Sequence, residues 1–344
     1  MRPGHPEGSP SRPDTGHRSG GRVVGDAVTR GRSDDARTTA ADWSGEVNSG
    51  SSDADRGEEV AAATGADGFR SELVAGVRAI DVAVLCAVPA ALVATFALPI
   101  ELRRSLAFDY TDPTLSTAFT AHYVHLRATH LAGNLVGYGL LAGVGYALAV
   151  IGDRRRLFVT ALATFLLAFP VALSALNLAV PRNAVGFGFS GINMALLGLL
   201  PLLLWTYACE RFAPDASVRA LPAVFFLLVG WISLLALPVS TTGVGLAGLA
   251  TAGAGISIGV VYVMSTDGGR RLPTRERLRA VTSRPGDGDL FVAGVVLLVG
   301  YPVVGFPADP TGTGGVVNLY VHLLGFCLGF IGAFILLAGD VVDE

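Results

Sequence analysis

The chain contains no lysine, and all 25 of its basic residues are arginine. Mechanisms that need a lysine base or a lysine Schiff base are therefore excluded, the serine–lysine hydrolases among them. Charged residues make up only 15% of the 344 residues, whereas soluble domains carry about a quarter. Together with 51% apolar residues and a mean hydropathy of +0.54, this composition indicates an integral membrane protein.

Cysteine is also scarce. Cys86, Cys209 and Cys327 are far apart, and each lies in or at the end of an apolar run. This placement is typical of small buried apolar side chains rather than of disulfides or redox centres. Neither a CxxC nor an HExxH pattern occurs. The sequence therefore predicts no metal site and no cofactor.

Residues 1–75 have almost no large apolar side chains. Such a segment cannot bury enough surface to offset the entropy of ordering, so we expect it to be disordered. It lacks the short apolar core of a signal peptide. Its mixed Arg and Asp pattern is not a basic patch, so we expect no binding to nucleic acid. The predicted domains are a disordered cytoplasmic tail, 1–75, and a transmembrane domain, 76–340.

Eight apolar runs follow the tail, each near the roughly 20 residues that a helix needs to cross a bilayer. They predict an all-α polytopic membrane protein. The sixth run is rich in glycine, which suits close helix packing, and the seventh is the shortest and contains Pro302. The runs cover residues 80–100, 122–150, 156–179, 188–208, 219–239, 243–265, 289–306 and 316–338.

Arginine is concentrated in alternate loops. The loops after the second, fourth and sixth runs hold most of it, whereas the opposite loops hold only Arg103, Arg104 and Arg182, with Arg127 at a helix start. The positive-inside rule then places both termini in the cytoplasm. The second, fourth and eighth spans enter from the outer face of the cell membrane. Five polar residues fall in the outer parts of these spans: His125, His130, Asn134, Ser190 and His322.

Ser190 lies in the segment Gly188-Phe189-Ser190-Gly191 at the start of the fourth run. Glycines let backbone approach a substrate and leave the hydroxyl accessible, as a nucleophile requires. A serine at a helix start is also a common N-cap. On this segment alone, the cap is favoured.

His130 and Asn134 are four residues apart and so share one helical face. Two neutral donors on one face suit the stabilisation of a developing oxyanion. A polar contact between helices would use the same pair.

His322 is an ionisable residue within the last apolar run, which marks it as a functional candidate. Gly325 and Gly329 follow it at a spacing that allows close helix packing. If the neighbour is the fourth span, His322 can reach Ser190 and act as its general base. We place no Asp or Glu inside the well-defined spans, so the unit would be a dyad without a third member.

These motifs together resemble the signature of the rhomboid intramembrane serine proteases, over about residues 80–338. The resemblance implies a six-helix core, Ser190 as nucleophile and His322 as general base. It also implies an oxyanion site from the Ser190 amide, His130 and Asn134, with His125 supporting the loop above it, and transmembrane proteins in the lipid bilayer as substrates. Gly188 and Gly191 belong to the serine motif, and Gly325 and Gly329 to the histidine motif.

The chain departs from the rhomboid pattern in three ways. Three spans rather than one separate the serine and histidine helices, which leaves two extra spans and an unassigned substrate gate. Met194 stands where many rhomboids carry a tyrosine, and the Trp-Arg pair of the first outer loop is absent.

Two alternatives remain open. The first is a rhomboid-like pseudoprotease that binds membrane clients. The second is a zinc-dependent membrane hydrolase, which is disfavoured because His125 and His130 are predicted to point to different helical faces with no carboxylate nearby. The sequence does not determine the oligomeric state.

Overall fold

The computed structural model describes residues 65–212, 221–237, 242–265, 279, 284–307 and 317–342. These residues are largely helical, with one two-stranded sheet. The principal helices are α1 (65–76), α2 (Ala79–Phe96), α3 (Ile100–Ser105), α4 (Leu115–Thr120), α5 (Ala128–Ile151), α6 (Arg155–Leu167), α7 (Phe169–Asn177), α8 (Ser190–Arg211), α9 (Leu221–Ala236), α10 (Thr242–Ser265), α11 (Asp287–Gly305) and α12 (Leu319–Val342). A 3₁₀ turn covers Ala121–Tyr123, and the strands are β1 (Phe108–Asp109) and β2 (Val185–Gly186).

The all-α polytopic membrane architecture is confirmed. Five of the described helices, α2, α5, α8, α11 and α12, are long and apolar enough to cross a membrane. The third predicted span is broken into α6 and α7, which meet at 51° and count as a sixth candidate when taken together. The helix formed by the fifth run and the apolar part of the sixth are shorter. The break lies beside Pro170, whose ring cannot continue a helical hydrogen-bond ladder.

Helix α8 is the centre of the bundle. It is parallel to α5 and to α12. Glycines that follow one another along those two helices contact residues that follow one another along α8. Gly137 and Gly145 of α5 face Asn193 and Leu203, in that order. The three helices therefore begin at one end of the bundle. Helix α11 runs the opposite way, since Gly294 meets Leu204 and Gly305 meets Met194.

Helices α9 and α10 form an antiparallel pair through close backbone contacts. A Cβ on Gly255 would lie 2.6 Å from the Phe226 carbonyl oxygen, and one on Gly259 would lie 3.1 Å from that of Ala223. The glycines of the sixth run therefore serve helix packing at these positions, as the sequence predicts.

The second predicted span began too early. Helix α5 starts at Ala128, and Val124 before it is extended. His122 and His125 therefore lie in the segment that leads into the helix. The prediction that His125 and His130 point to different faces is wrong, because their ring centroids are 5.0 Å apart.

Two further predictions need correction at the opposite end of the bundle. Residues 65–76 form α1, so the end of the segment predicted to be disordered is helical. The absence of carboxylates from the spans is also wrong, because Asp81 lies in the first turn of α2. Asp81 is 6% exposed, pairs with Arg155 and accepts a hydrogen bond from Tyr146 at 2.7 Å. This buried carboxylate is therefore paired. Its partner Tyr146 is twelve residues beyond Asn134 on α5, so Asp81 is far from Asn134.

Candidate active site

The backbone before α8 is held by the small sheet and by the 3₁₀ turn. Strands β1 and β2 pair antiparallel, with Phe108 opposite Gly186. The Gly188 amide donates to the Ala121 carbonyl at 2.9 Å. Gly188 has a φ of +112°, a region that residues with a Cβ rarely adopt. This geometry turns the chain sharply into α8 and places Ser190 at the start of that helix.

Ser190 is the first residue of α8, and the cap position belongs to Phe189. No side chain caps this helix end, so the structure does not support a capping role for Ser190. The first amides of a helix have no intrahelical acceptors and carry partial positive charge. A half-buried hydroxyl therefore lies beside donors that favour developing negative charge.

Helix α12 contacts this end of α8 through Gly325 and Gly329. A Cβ on Gly325 would overlap the Gly191 carbonyl oxygen, and one on Gly329 would overlap that of Ala195. A Cβ on Gly191 would in turn lie 2.8 Å from Val321 Cγ1. His322, the neighbour of Val321, therefore lies at the level of Ser190. No hydrogen bond joins the two side chains within the described structure.

The His322 imidazole is bound from the other side by α11. Its Nδ1 lies 2.6 Å from the Gly305 carbonyl oxygen. The ring is 6% exposed and meets the edge of Phe306 at a centroid distance of 5.9 Å. Because a carbonyl only accepts, Nδ1 carries the hydrogen of the neutral ring and Nε2 is the basic nitrogen. A backbone carbonyl thus orients the imidazole as the third member of a triad would.

Met194 takes part in the same packing. It is 1% exposed, and a Cβ on Gly305 would overlap its methyl group. A Cβ on Gly325 would lie 3.1 Å from the Met194 Cβ. The thioether therefore fills the space between α11 and α12, next to the carbonyl that orients His322.

His130 lies over Gly188. A Cβ on Gly188 would be 2.5 Å from its Cε1 and 2.9 Å from its Nε2. The imidazole also meets Phe187 at 5.7 Å between ring centroids. His130 is therefore next to the backbone that leads into Ser190, where an oxyanion donor would have to lie.

Asn134 and His125 form a buried pair below this backbone. Asn134 Nδ2 lies 2.9 Å from His125 Nε2 and donates to the His130 carbonyl at 3.2 Å. His125 Nε2 also accepts from the Phe189 amide at 3.4 Å. Both N–H bonds of the Asn134 carboxamide are thus engaged. In this arrangement Asn134 contacts the candidate site through His125. To bind an oxyanion directly, Asn134 would have to give up one of these two hydrogen bonds.

Sequence reasoning missed four residues around these groups. Arg103 of α3 donates to the His125 carbonyl at 2.8 Å, and Asn193 of α8 donates to Asn134. Tyr301 of α11 lies against Asn193. His122 lies 3.1 Å from the hydroxyl of Ser174, which donates to the Ala118 carbonyl at 2.9 Å. Asn193 lies three residues after Ser190, on the inner side of α8, and this spacing is the signal that could have found it.

Comparison with known proteins finds no matching family model, no similar curated protein and no similar solved structure. Within the described residues, no three His, Cys, Asp or Glu side chains are grouped so that they could hold a metal ion. The geometry of the site is therefore the basis for its interpretation.

The close contact between Gly188 and His130 leads to a test of this geometry. We expect Gly188→Ala to slow covalent labelling of Ser190 at least about tenfold, because the new methyl group displaces His130 and the positive φ is strained. Labelling would be measured as the rate of reaction with a fluorophosphonate in detergent. Gly133→Ala on α5 is the matched control, since nothing lies within 4 Å of its Cβ. Equal rates in the two variants would contradict the placement of His130.

Proposed function

We propose that this protein is a rhomboid-like intramembrane serine endopeptidase, which hydrolyses peptide bonds in or beside transmembrane helices of other proteins. One observation carries the proposal. His322 lies at the level of Ser190 on the packed face of α8 and α12, with Nδ1 bound to the Gly305 carbonyl and Nε2 left as the basic nitrogen.

The chemistry follows from these two groups. Ser190 Oγ attacks the scissile carbonyl carbon while its proton passes to His322 Nε2. The imidazolium then protonates the leaving amine, and the C–N bond breaks to form an acyl-enzyme. Water then attacks the acyl carbon while its proton passes to His322. The imidazolium returns this proton to Ser190 Oγ as the ester bond breaks, and the acid product leaves. The Gly305 carbonyl stabilises the imidazolium through its Nδ1–H bond, a role that a carboxylate plays in a triad.

The proposed oxyanion site is at the start of α8. The Ser190 amide lies at the positive end of the helix, and His130 lies beside Gly188, two residues before Ser190. His125 and Asn134 support this backbone from below. Donors already aligned before the reaction are worth several kcal/mol to acyl transfer, on the order of 10²–10³ in rate for one donor.

The membrane arrangement belongs to the same proposal. The eight apolar runs cross the plasma membrane, with both termini in the cytoplasm and Ser190 opening to the outer face, as the arginine distribution indicates. Helices α2, α5, α6 with α7, α8, α11 and α12 form the six-span core, and α9 with α10 are the two extra spans.

The gate is the span α11, beside α5. Of the three spans between Ser190 and His322, α11 supplies both the Gly305 carbonyl that orients His322 and the Tyr301 side chain against Gly137 of α5. A transmembrane substrate would therefore reach Ser190 between α5 and α11.

Covalent labelling of the purified full chain with a fluorophosphonate tests the nucleophile directly. We expect mass spectrometry to find the adduct on Ser190, because a serine activated by a base attacks the phosphorus and expels fluoride. Heat-denatured protein is the control for nonspecific reaction. A folded protein in which Ser190 never reacts would contradict the proposal and favour the client-binding pseudoprotease.

A further inference from the structure

Helix α11 is the least enclosed of the spans that meet at Ser190. Only 22% of the apolar segment of α11 is buried inside the protein, compared with 83% for α8. Its exposed valines include Val296 and Val304. Between Leu290 and Gly305, Tyr301 is the single side chain of α11 with a polar group, and that group faces inward.

Tyr301 reaches into a notch that exists because residue 137 is glycine. A Cβ on Gly137 would overlap the Tyr301 hydroxyl and would lie 3.1 Å from Asn193 Nδ2. The phenol hydroxyl and the Asn193 carboxamide are therefore neighbours between α5, α8 and α11. Asn193 itself is fully buried.

A chain of hydrogen bonds leads from Asn193 to the backbone amide of Phe189, the residue before Ser190. Asn193 Nδ2 donates to the Asn134 carbonyl at 3.0 Å and to its side-chain oxygen at 3.3 Å. Asn134 Nδ2 lies 2.9 Å from His125 Nε2, which also accepts from the Phe189 amide at 3.4 Å. Asn193, Asn134, His125 and Phe189 are buried, so the loss of any of these bonds is costly. Asn193 Oδ1, next to the Tyr301 hydroxyl, is buried without a hydrogen-bond partner.

We propose that Tyr301 is a positioning residue of the site, which aligns the backbone at Phe189 and Ser190 through Asn193, Asn134 and His125 when α11 is packed against α5. This proposal rests on the proposed function. Helix α11 then has two roles in the site, one through Tyr301 and one through the Gly305 carbonyl. Packing of Tyr301 aligns the oxyanion side of the site, and the Gly305 carbonyl aligns the base.

Tyr301→Phe removes the hydroxyl and keeps the ring. In the full chain, with a helix-containing reporter as substrate, we expect kcat to fall about tenfold with KM unchanged. The variant loses the hydroxyl that lies beside Asn193, and it loses no contact with the substrate. Gly137→Ala, which expels the ring, should lower kcat at least as much. The Tyr301→Phe/Asn193→Ala double variant should be no slower than Asn193→Ala alone, because the two residues act as one unit.

Two controls separate positioning from general stability. Tyr207→Phe removes another hydroxyl between α8 and α11, one that donates to Asp287 at the other end of the bundle. Gly139→Ala adds a methyl to α5 where nothing lies within 4 Å. Both should keep the parental kcat.

The outcomes distinguish this proposal from the one on which it rests. A parental protein that neither labels at Ser190 nor cleaves the reporter would overturn the proposed function. Parental activity with an unchanged kcat in Tyr301→Phe, or with independent effects of Tyr301→Phe and Asn193→Ala, would overturn the positioning role alone.

Discussion

Ser190→Ala and His322→Ala should each reduce cleavage of a transmembrane reporter to background, a loss on the order of 10⁴–10⁶ in kcat, as the proposed serine–histidine dyad requires. The two losses should not add, because nucleophile and base act as a unit. Measurement needs purified protein in detergent or bilayers and quantification of both fragments. Thermal unfolding of each variant shows that the fold is retained.

A second serine–histidine pair in the same bundle provides the matched control. Ser174 lies 3.1 Å from His122 Nε2, but its hydroxyl donates to the Ala118 carbonyl and its side chain is buried. Its proton is therefore committed to a structural bond. Ser174→Ala should lose some stability and retain cleavage. If Ser174→Ala were inactive and Ser190→Ala active, the nucleophile would be assigned wrongly.

Gly325→Ala and Gly329→Ala should each lower the stability of the fold and also disrupt the candidate site, with the largest combined effect of the glycine variants. Each new methyl group would overlap a carbonyl oxygen of α8, either that of Gly191 or that of Ala195. Backbone atoms cannot rotate away as a flexible side chain can, so the helices must separate. Overpacking of this kind costs about 1–3 kcal/mol. The separation also moves His322 away from Ser190.

Thermal unfolding and fluorophosphonate labelling measure the two consequences. Gly332→Ala, on the same helix, is the control, because nothing lies within 4 Å of its Cβ. We expect labelling to fall more than about tenfold in Gly325→Ala, with little change in Gly332→Ala. Parental labelling in Gly325→Ala would mean that close α8–α12 packing is not needed for the reaction.

Much of the architecture could be predicted from the apolar runs, because a bilayer requires long apolar helices and their lengths are visible in the sequence. Boundaries were harder where the apolar run continues outside the helix. The second run started at 122 by composition, whereas α5 starts at Ala128 because the 3₁₀ turn and extended Val124 intervene. The third run gave no sign that its helix bends beside Pro170 other than the proline itself.

The residues of the candidate site divide in the same way. Ser190, His322, His130 and Asn134 were identifiable as polar groups at motif spacing in apolar surroundings. Their partners were not. The acceptor of His322 is a backbone carbonyl, and every residue carries one, so no residue type marks Gly305 for this role. Asn193 and Tyr301 needed the packing of three helices before their contact could be seen.

The sequence by itself determined that this is a helical membrane protein with a serine and a histidine in separate apolar helices, because composition and spacing are local properties of the chain. The tertiary structure alone decided which helices lie beside them. Glycine contacts bring α12 onto α8, and α11 then supplies the carbonyl that orients His322. Such contacts depend on which backbones approach closely, and that is decided by steric fit between segments distant in sequence.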